Sequence, residues 1–285
     1  MSRQENWLCG SGRMKRREGK GLKEMKVKFD KEEIKQYLFV IRQLSSREIK
    51  RKYTRTSLGI IWSVLNPLLT MCVMAVVFTR IFERGIENYP LYLMAGQIIW
   101  HLFSGSTNAA MTSLVDNKTL LTRVKQPKII FPMSKVFASV INFLFTFISF
   151  VVLLIVYQIK PSITMLFAPV IIMGIVLFCL GVGYVLSCLY GLFGDIKYLY
   201  TVFLNLLMYM SAIFYAIEYV DKRVAIIIEN NPIYNYASCF RKVMIYGQWP
   251  NQGEIIRLVL WSLIIYVIGY VSFKKMENKL MMHLW

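Results

Sequence analysis

Long apolar segments separated by short polar ones dominate the chain from residue 58 onward. The first, Leu58 to about Thr79, contains no charged side chain. Five more segments follow, at 90–115, 136–158, 164–190, 198–217 and 255–273. A helix needs about 20 apolar residues to cross a hydrocarbon core of about 30 Å. The pattern therefore predicts an all-α polytopic membrane protein with six transmembrane helices.

A different pattern precedes the first span, because apolar positions between 33 and 56 recur at helical spacing on one face only. Ile34, Leu38 and Ile41 lie on that face, while Lys35 and Arg42 lie on the other. The basic polar face favours an amphipathic helix in the membrane interface over a soluble docking helix. Residues 1–32 have no apolar core of a signal peptide, and we expect them to form a disordered basic tail.

The positive charge is concentrated in the tail and in short segments between the apolar runs. The net charge is +18, and half of the 34 Lys and Arg residues lie in the first 56 residues. Nucleic-acid binding would need cations spread over a folded polar surface, so anionic lipids and a cytoplasmic partner are the expected counterparts. Cations beside a span mark its cytoplasmic end, and segment 116–135 holds five against the single Asp116. We expect an inner-membrane protein with both termini cytoplasmic, including a C-terminal tail at 278–285.

Polar residues gather in the second predicted span. Gln97, His101, Ser104 and Asn108 follow one another at spacings of four, three and four, which places them on one helix face. Such a face normally points into the bundle or a water-filled cavity. Hydrogen bonds between helices are the alternative, and they account better for serine and threonine than for Gln97 and Asn108.

The segment from Glu218 to Glu254 predicts two short external helices. Its four acidic and four basic side chains balance, which is typical of the outer side. Its two apolar stretches, 224–228 and 233–246, are separated by Asn231-Pro232, and neither is long enough to span. We expect interfacial or re-entrant helices at 222–230 and 234–246.

Enzymatic chemistry and ion-coupled transport both lack the residues that they need. Gly19-Lys20-Gly21 is not followed by the Ser or Thr of a phosphate loop, and Asp116 and Asp195 lie in separate inner loops. The predicted spans contain no buried carboxylate for a protonation cycle, and the halves show no inverted repeat. We therefore expect no cofactor and no metal site in this chain.

Several separated motifs resemble the type-2 ABC transporter permeases that export lipid-linked polysaccharides, including O-antigen, capsule and teichoic acid. The clearest is REIK at 47–50 with Tyr53, followed by SLGIIWSVLNPL at 57–68. In the same order come Gly96-Gln97, DNK at 116–118, Pro127-Lys128, Phe131-Pro132, GDIK at 194–197 and Asn231-Pro232. The resemblance covers about residues 44–275 and implies a transmembrane domain at 57–277.

The resemblance implies a homodimer that works with two copies of a separate ABC ATPase, to which ATP and Mg²⁺ bind. The loop after the second span would contact that ATPase, whereas a loop needed only for membrane topology is the plain alternative. The implied coupling residues are Asn117, Lys118, Leu120, Leu121, Arg123, Val124, Lys125 and Pro127.

The resemblance also implies a channel beside spans one, two and five, in which aromatic rings would stack on sugars. The channel residues that we select are Trp62, Gln97, Trp100, Asn108, Tyr198, Tyr209 and Tyr215. The external gate would contain Asn231, Pro232, Tyr234 and Tyr236. Lipid headgroups would meet Arg47, Lys50, Arg51 and Arg55, unless these cations only set the topology. A permease for a drug or small lipid, or a secondary transporter, is the alternative function.

Overall fold

The computed structural model describes residues 31–54, 59, 61–82, 88–123 and 127–284, and within these ranges the chain is helical and contains no strand. The α-helices of these ranges are α1 (Lys31–Tyr53), α2 (Ile61–Phe82), α3 (Tyr89–Asp116), α4 (Lys118–Arg123), α5 (Ile130–Val156), α6 (Ala168–Leu192), α7 (Ile196–Tyr209), α8 (Lys222–Glu229), α9 (Pro232–Met244) and α10 (Gln252–Leu284). A 3-10 turn at Ile163–Phe167 leads into α6, and another at Ile217–Tyr219 precedes α8. The predicted all-α class is confirmed.

Three helical stretches of the described residues are long and apolar enough to cross a membrane. They are Ile130–Val156, Ile163–Leu192 and Gln252–Glu277. Helices α2 and α3 have 22 and 28 residues, so at a rise of about 1.5 Å per residue they are about 33 and 42 Å long. Both helices are therefore long enough to cross a bilayer, although α2 contains Pro67 and α3 contains several polar residues.

Helix α3 lies at the centre of the bundle, where it contacts α2, α5, α6 and α9. Leu93, Ile99 and Leu114 on it are fully buried. Its buried Thr107 hydroxyl donates to the Phe103 carbonyl at 2.8 Å and accepts the Tyr200 hydroxyl at 2.6 Å. Because neighbouring helices surround α3, the most polar predicted span avoids lipid.

Helices α6 and α10 touch through their backbones. A Cβ atom built on Gly269 would lie 2.2 Å from the carbonyl oxygen of Gly181. A Cβ atom on Gly181 would lie 2.3 Å from the carbonyl oxygen of Ile265. Only glycine allows this approach.

The predicted fifth span is helical only in its first part. Helix α7 has 14 residues, about 21 Å, and ends at Tyr209. Residues 210–216 leave the helix, and Ala212 adopts a left-handed φ of 44°. A continuous helix over 198–217 is therefore not what the chain forms, and the physical reason lies in side chains from α3 and α9.

The two short helices predicted after this segment are present. The Asp221 carboxylate accepts the Arg223 N–H at 2.9 Å at the start of α8, and the Asn231 side chain accepts the Ile233 N–H at 2.9 Å at the start of α9. Helix α9 then packs against α3, α6 and α10, with Phe240 fully buried. Helix α9 is therefore packed inside the bundle, and its interfacial or re-entrant position in the membrane stays a prediction.

Candidate functional site

A cavity of about 950 Å³ opens between α1, α2, α3 and α5. Trp62 and Asn66 of α2 and His101 of α3 are exposed on its walls. The sequence predicted that the face with His101 points into the bundle or into a water-filled cavity, and in the structure His101 lines this cavity. The cavity is a groove lined by these polar side chains and by Pro67, which lies inside α2.

Charged side chains close the end of the groove nearest α4. Lys135, only 5% exposed, has its ammonium 3.0 Å from Glu48 of α1 and 3.1 Å from Asp116 of α3. One buried cation thus holds two carboxylates from different helices. Breaking a buried ion pair costs about 3–5 kcal/mol, so Lys135 fixes α1, α3 and α5 relative to one another.

Further polar contacts dock α1 on the bundle. Arg47 donates to the Asn117 side-chain oxygen, and the Tyr53 hydroxyl donates to Asn142 at 2.7 Å. The buried Ser45 hydroxyl donates to a carbonyl at the start of α5 at 2.8 Å. Helix α1 is therefore a packed part of the bundle as well as an amphipathic helix.

The cations selected for lipid headgroups differ in whether they contact other residues of the protein. Arg47 bonds to Asn117 and lies 3.7 Å from the Glu48 carboxylate, so part of its bonding capacity is used within the protein. Lys50 and Arg51 are exposed. Arg55 lies outside the described residues, and the headgroup role stays a prediction.

The predicted coupling loop contains the short helix α4. Lys118 and Thr119 are exposed and Leu120 is half-buried, whereas Leu121 is 8% exposed and packs in the core. A partner can therefore contact Leu120 but not Leu121 in this conformation, which corrects the expectation that both leucines contact the ATPase.

The other coupling residues have different positions. Asn117 is buried, and its amide donates to the Ser113 carbonyl at 2.7 Å. Arg123 ends α4, and Pro127 is half-buried where the described chain resumes. Val124 and Lys125 lie outside the described residues.

The residues selected for a channel do not gather in one place. Trp62 lines the groove, and Tyr198 and Tyr209 are exposed on α7. Gln97 and Trp100, each 7% exposed, pack in the core of the chain, so the structure corrects their placement on a channel wall. Asn108 and Tyr215 are half-buried, and the Tyr215 hydroxyl donates to the Tyr209 carbonyl at 2.6 Å.

A set of side chains satisfies the backbone where α7 ends. Asn231 donates to the Met210 carbonyl at 3.1 Å. The hydroxyls of Tyr89 and Tyr92 donate to the carbonyls of residues 214 and 215, each at 2.9 Å. An irregular backbone at membrane depth requires such partners, and here the partners come from α3 and α9.

Arg241 of α9 completes this set from inside the core. It is 3% exposed, and it donates to the carbonyls of Ala212 at 3.2 Å and Ile213 at 2.9 Å. Its guanidinium also donates to the Tyr92 hydroxyl at 2.8 Å and lies 3.5 Å from the centre of the Tyr92 ring. The neutral acceptors and the ring replace the carboxylate that a buried arginine usually has.

The selected gate residues have mainly structural contacts. Asn231 caps α9 and holds the Met210 carbonyl, and Pro232 occupies the first turn. Tyr236 is fully buried, with its hydroxyl 2.6 Å from that of Ser262. Tyr234 is half-buried beside a second cavity.

Sequence reasoning missed Arg241, Tyr92 and the pair of Lys135 with Glu48. Arg241 carried a signal, because it interrupts an apolar stretch that is otherwise core-like. No sequence signal marked Lys135, since it lies among the other cations of segment 116–135. Its burial becomes apparent only when α1 and α3 meet around it.

The family model for ABC-2 type transporters matches residues 40–245, a range that holds the groove, α4 and the broken segment after α7. The chain belongs to the ABC-2 type transporter family. With its apolar helices, membership identifies it as a multi-pass membrane protein with a transport function.

Named relatives align over almost their whole length. The O-antigen export system permease protein RfbA of Klebsiella pneumoniae is 28% identical over 85% of this chain and 94% of the relative. RfbA of Myxococcus xanthus is 25% identical over 82% and 90%. The polysialic acid transport protein KpsM of Escherichia coli is 20% identical over 85% and 95%.

Proposed function

We propose that this chain is the membrane-spanning permease of an ATP-driven exporter that moves lipid-linked polysaccharide outward across the cytoplasmic membrane. The observation that carries the proposal is the alignment with O-antigen export permeases over up to 94% of their length. The arrangement requires no chemistry on the sugar. ATP and Mg²⁺ bind to the separate ATPase, and the permease binds no cofactor.

Exposed polar side chains on apolar helices support a substrate path. Asn205 and Thr201 are exposed on α7, and Asn66 is exposed on α2. Polar groups that face lipid are costly, and they normally face protein or water. In the proposal, two copies of the chain meet across a channel that α2 and α7 line, with Tyr198 and Tyr209 offered to the sugars.

The exposed surface of α4 supports coupling to a cytoplasmic ATPase. Lys118 and Thr119 are exposed beside the half-buried Leu120, a small apolar contact with a polar rim. Movement of α4 would reach α1 through Asn117 and its hydrogen bond from Arg47. The basic segments on this side support a cytoplasmic position for it and for both termini.

Deletion of the gene tests the function in its native host. We expect surface polysaccharide to disappear and lipid-linked polysaccharide to accumulate inside the cell, because synthesis continues while export stops. Complementation with the wild-type chain should restore both. Unchanged surface polysaccharide after deletion would refute the proposed function.

Co-purification tests the coupling surface separately. The tagged permease carrying Lys118→Glu and Leu120→Glu should lose the ATPase and the surface polysaccharide, because charge reversal and a buried carboxylate both oppose docking. Lys275→Glu, an exposed cation at the inner end of α10, is the matched control and should keep both. Full ATPase recovery with the double variant would contradict the role of α4 but leave export itself intact.

A further inference from the structure

A second cavity, of about 610 Å³, lies on the outer end of the chain. The segment after α7, the end of α8, α9 and the first turn of α10 enclose it, above the Arg241 guanidinium and the Tyr92 ring. Small-molecule sites usually have about 300–1,000 Å³, so the cavity has room for more than one small ring. Nothing in the transport path described above uses it.

The lining combines aromatic rings with hydrogen-bond acceptors. The aromatic residues are Tyr219, Tyr234 and Tyr246, and the polar ones are Glu218, Glu229 and Gln248. Aromatic rings offer flat apolar faces to the C–H face of a pyranose. Carboxylates and amides accept hydrogen bonds from hydroxyl groups, which are the remaining feature of a sugar.

The charges that line the cavity favour uncharged or amino sugars over sugars that carry a carboxylate. Lys242 is neutralised by Glu254 at 2.7 Å, and Arg241 donates to backbone carbonyls on the floor. Glu218 and Glu229 are exposed on the walls, and neither forms an ion pair with a described residue. The lining holds three carboxylates against the two cations Arg241 and Lys242, a net charge of −1. The exposed carboxylates of Glu218 and Glu229 would repel a sugar that carries a carboxylate.

The floor of the cavity is held in place by hydrogen bonds from a buried side chain. Arg241 is 3% exposed and ties α9 to α3 and to residues 212 and 213. A ligand on the walls would contact α8, α9 and the broken segment together. These are the same elements that close the outer end of the chain.

We propose that this cavity is an exit site that holds uncharged or amino sugar residues of the emerging polysaccharide. The proposal rests on the proposed export function. Each protomer carries its own copy, formed by Tyr219, Tyr234 and Tyr246 with Glu218 and Glu229. Binding of sugar at this outer site disfavours the return of the polysaccharide into the channel.

Photocrosslinking in cells that make their own polysaccharide tests the site. p-Benzoylphenylalanine is placed at position Tyr219, or at Tyr246, in the full-length tagged permease expressed with its ATPase. The matched control position is Trp249, an exposed aromatic in the same outer loop that packs on Phe167 and does not line the cavity. After irradiation, the purified permease is stained for attached glycan, and surface polysaccharide is measured in the same cells.

The expected result is a ladder of glycan-bearing permease from Tyr219 and Tyr246 and none from Trp249. Tyr234→Leu removes the central ring and should lower the ladder from position Tyr219 at least three-fold. Tyr157→Leu, in another outer loop, should leave it unchanged. The accumulated protein and its ATPase content report whether each variant has folded.

Other outcomes separate the site from the function. Normal export without a ladder, or an equal ladder from position Trp249, would refute the exit site without contradicting the proposed export function. Surface polysaccharide that survives deletion of the gene overturns both. Sugar analysis of the exported chain completes the test, since a polysaccharide made mainly of carboxylated sugars would overturn the proposed class of ligand.

Discussion

Replacement of Arg241 by methionine should destabilise the whole outer end of the chain. Methionine keeps an unbranched apolar stem but removes every donor. The carbonyls of Ala212 and Ile213 then lose the bonds of 3.2 and 2.9 Å that hold the broken segment. The Tyr92 ring loses the guanidinium that lies 3.5 Å from its centre.

The size of the effect follows from these losses. A buried acceptor without a partner costs about 1–3 kcal/mol, which gives about 2–6 kcal/mol for two carbonyls. The desolvated cation–π contact adds about 2 kcal/mol. Methionine also avoids the desolvation penalty of a buried charge, which offsets part of this loss of stability. We expect a net loss of about 3–4 kcal/mol.

Thermal unfolding followed by a thiol-reactive fluorophore measures this loss in detergent. Cys179, Cys188 and Cys239 are buried and react only when the bundle opens. At about 2–4 °C per kcal/mol for chains of roughly 150–250 residues, the midpoint should fall by about 10 °C. Arg241→Lys keeps the charge without the planar fork and should lie between methionine and wild type.

The control is Arg223→Met, because Arg223 is exposed on the neighbouring helix α8. Its midpoint should stay within about 2 °C of wild type, as surface substitutions usually cost less than about 0.5 kcal/mol. If Arg241→Met unfolds at the same temperature as Arg223→Met, then Arg241 does not hold the segment after α7, and the reasoning is refuted.

Three further predictions use the same unfolding assay. Gly96→Ala builds a methyl group 2.3 Å from Nη2 of Arg241 and should lower the midpoint by several degrees, whereas Gly105→Ala in the same helix meets open space and should leave or raise it. Gly269→Ala should separate α10 from α6, because its Cβ would lie 2.2 Å from a backbone oxygen, while Gly253→Ala at the start of α10 should be neutral; equal midpoints would contradict the backbone contact. Lys135→Met removes the only cation that pairs with Asp116 among the described residues and the nearest of the cations beside Glu48, which keeps Arg51 at 3.4 Å. It should cost about 3 kcal/mol and abolish surface polysaccharide, and a variant with normal stability and export would show that the ion pairs are dispensable.

Local signals in the sequence predicted much of the fold correctly. The two apolar stretches separated by Asn231-Pro232 predicted the two short helices within a few residues. The structure adds the caps at Asp221 and Asn231, which act on the first turn of each helix. For the candidate site, Leu121 and Trp100 pack in the core instead of on a contact surface, since an apolar residue suits both equally well. The channel role of Trp62 stays a prediction.

By itself, the sequence determined that this is a helical membrane protein of the ABC-2 type, because segment length, apolar content and separated motifs are properties of the chain alone. Only the tertiary structure decided where α7 ends. No proline or glycine stands at 210, and the break is held by Tyr89 and Tyr92, more than a hundred residues earlier, and by Arg241, later in the chain. Likewise, the role of Lys135 depends on two carboxylates from other helices. Such long-range partners satisfy buried polar groups, and no local pattern specifies them.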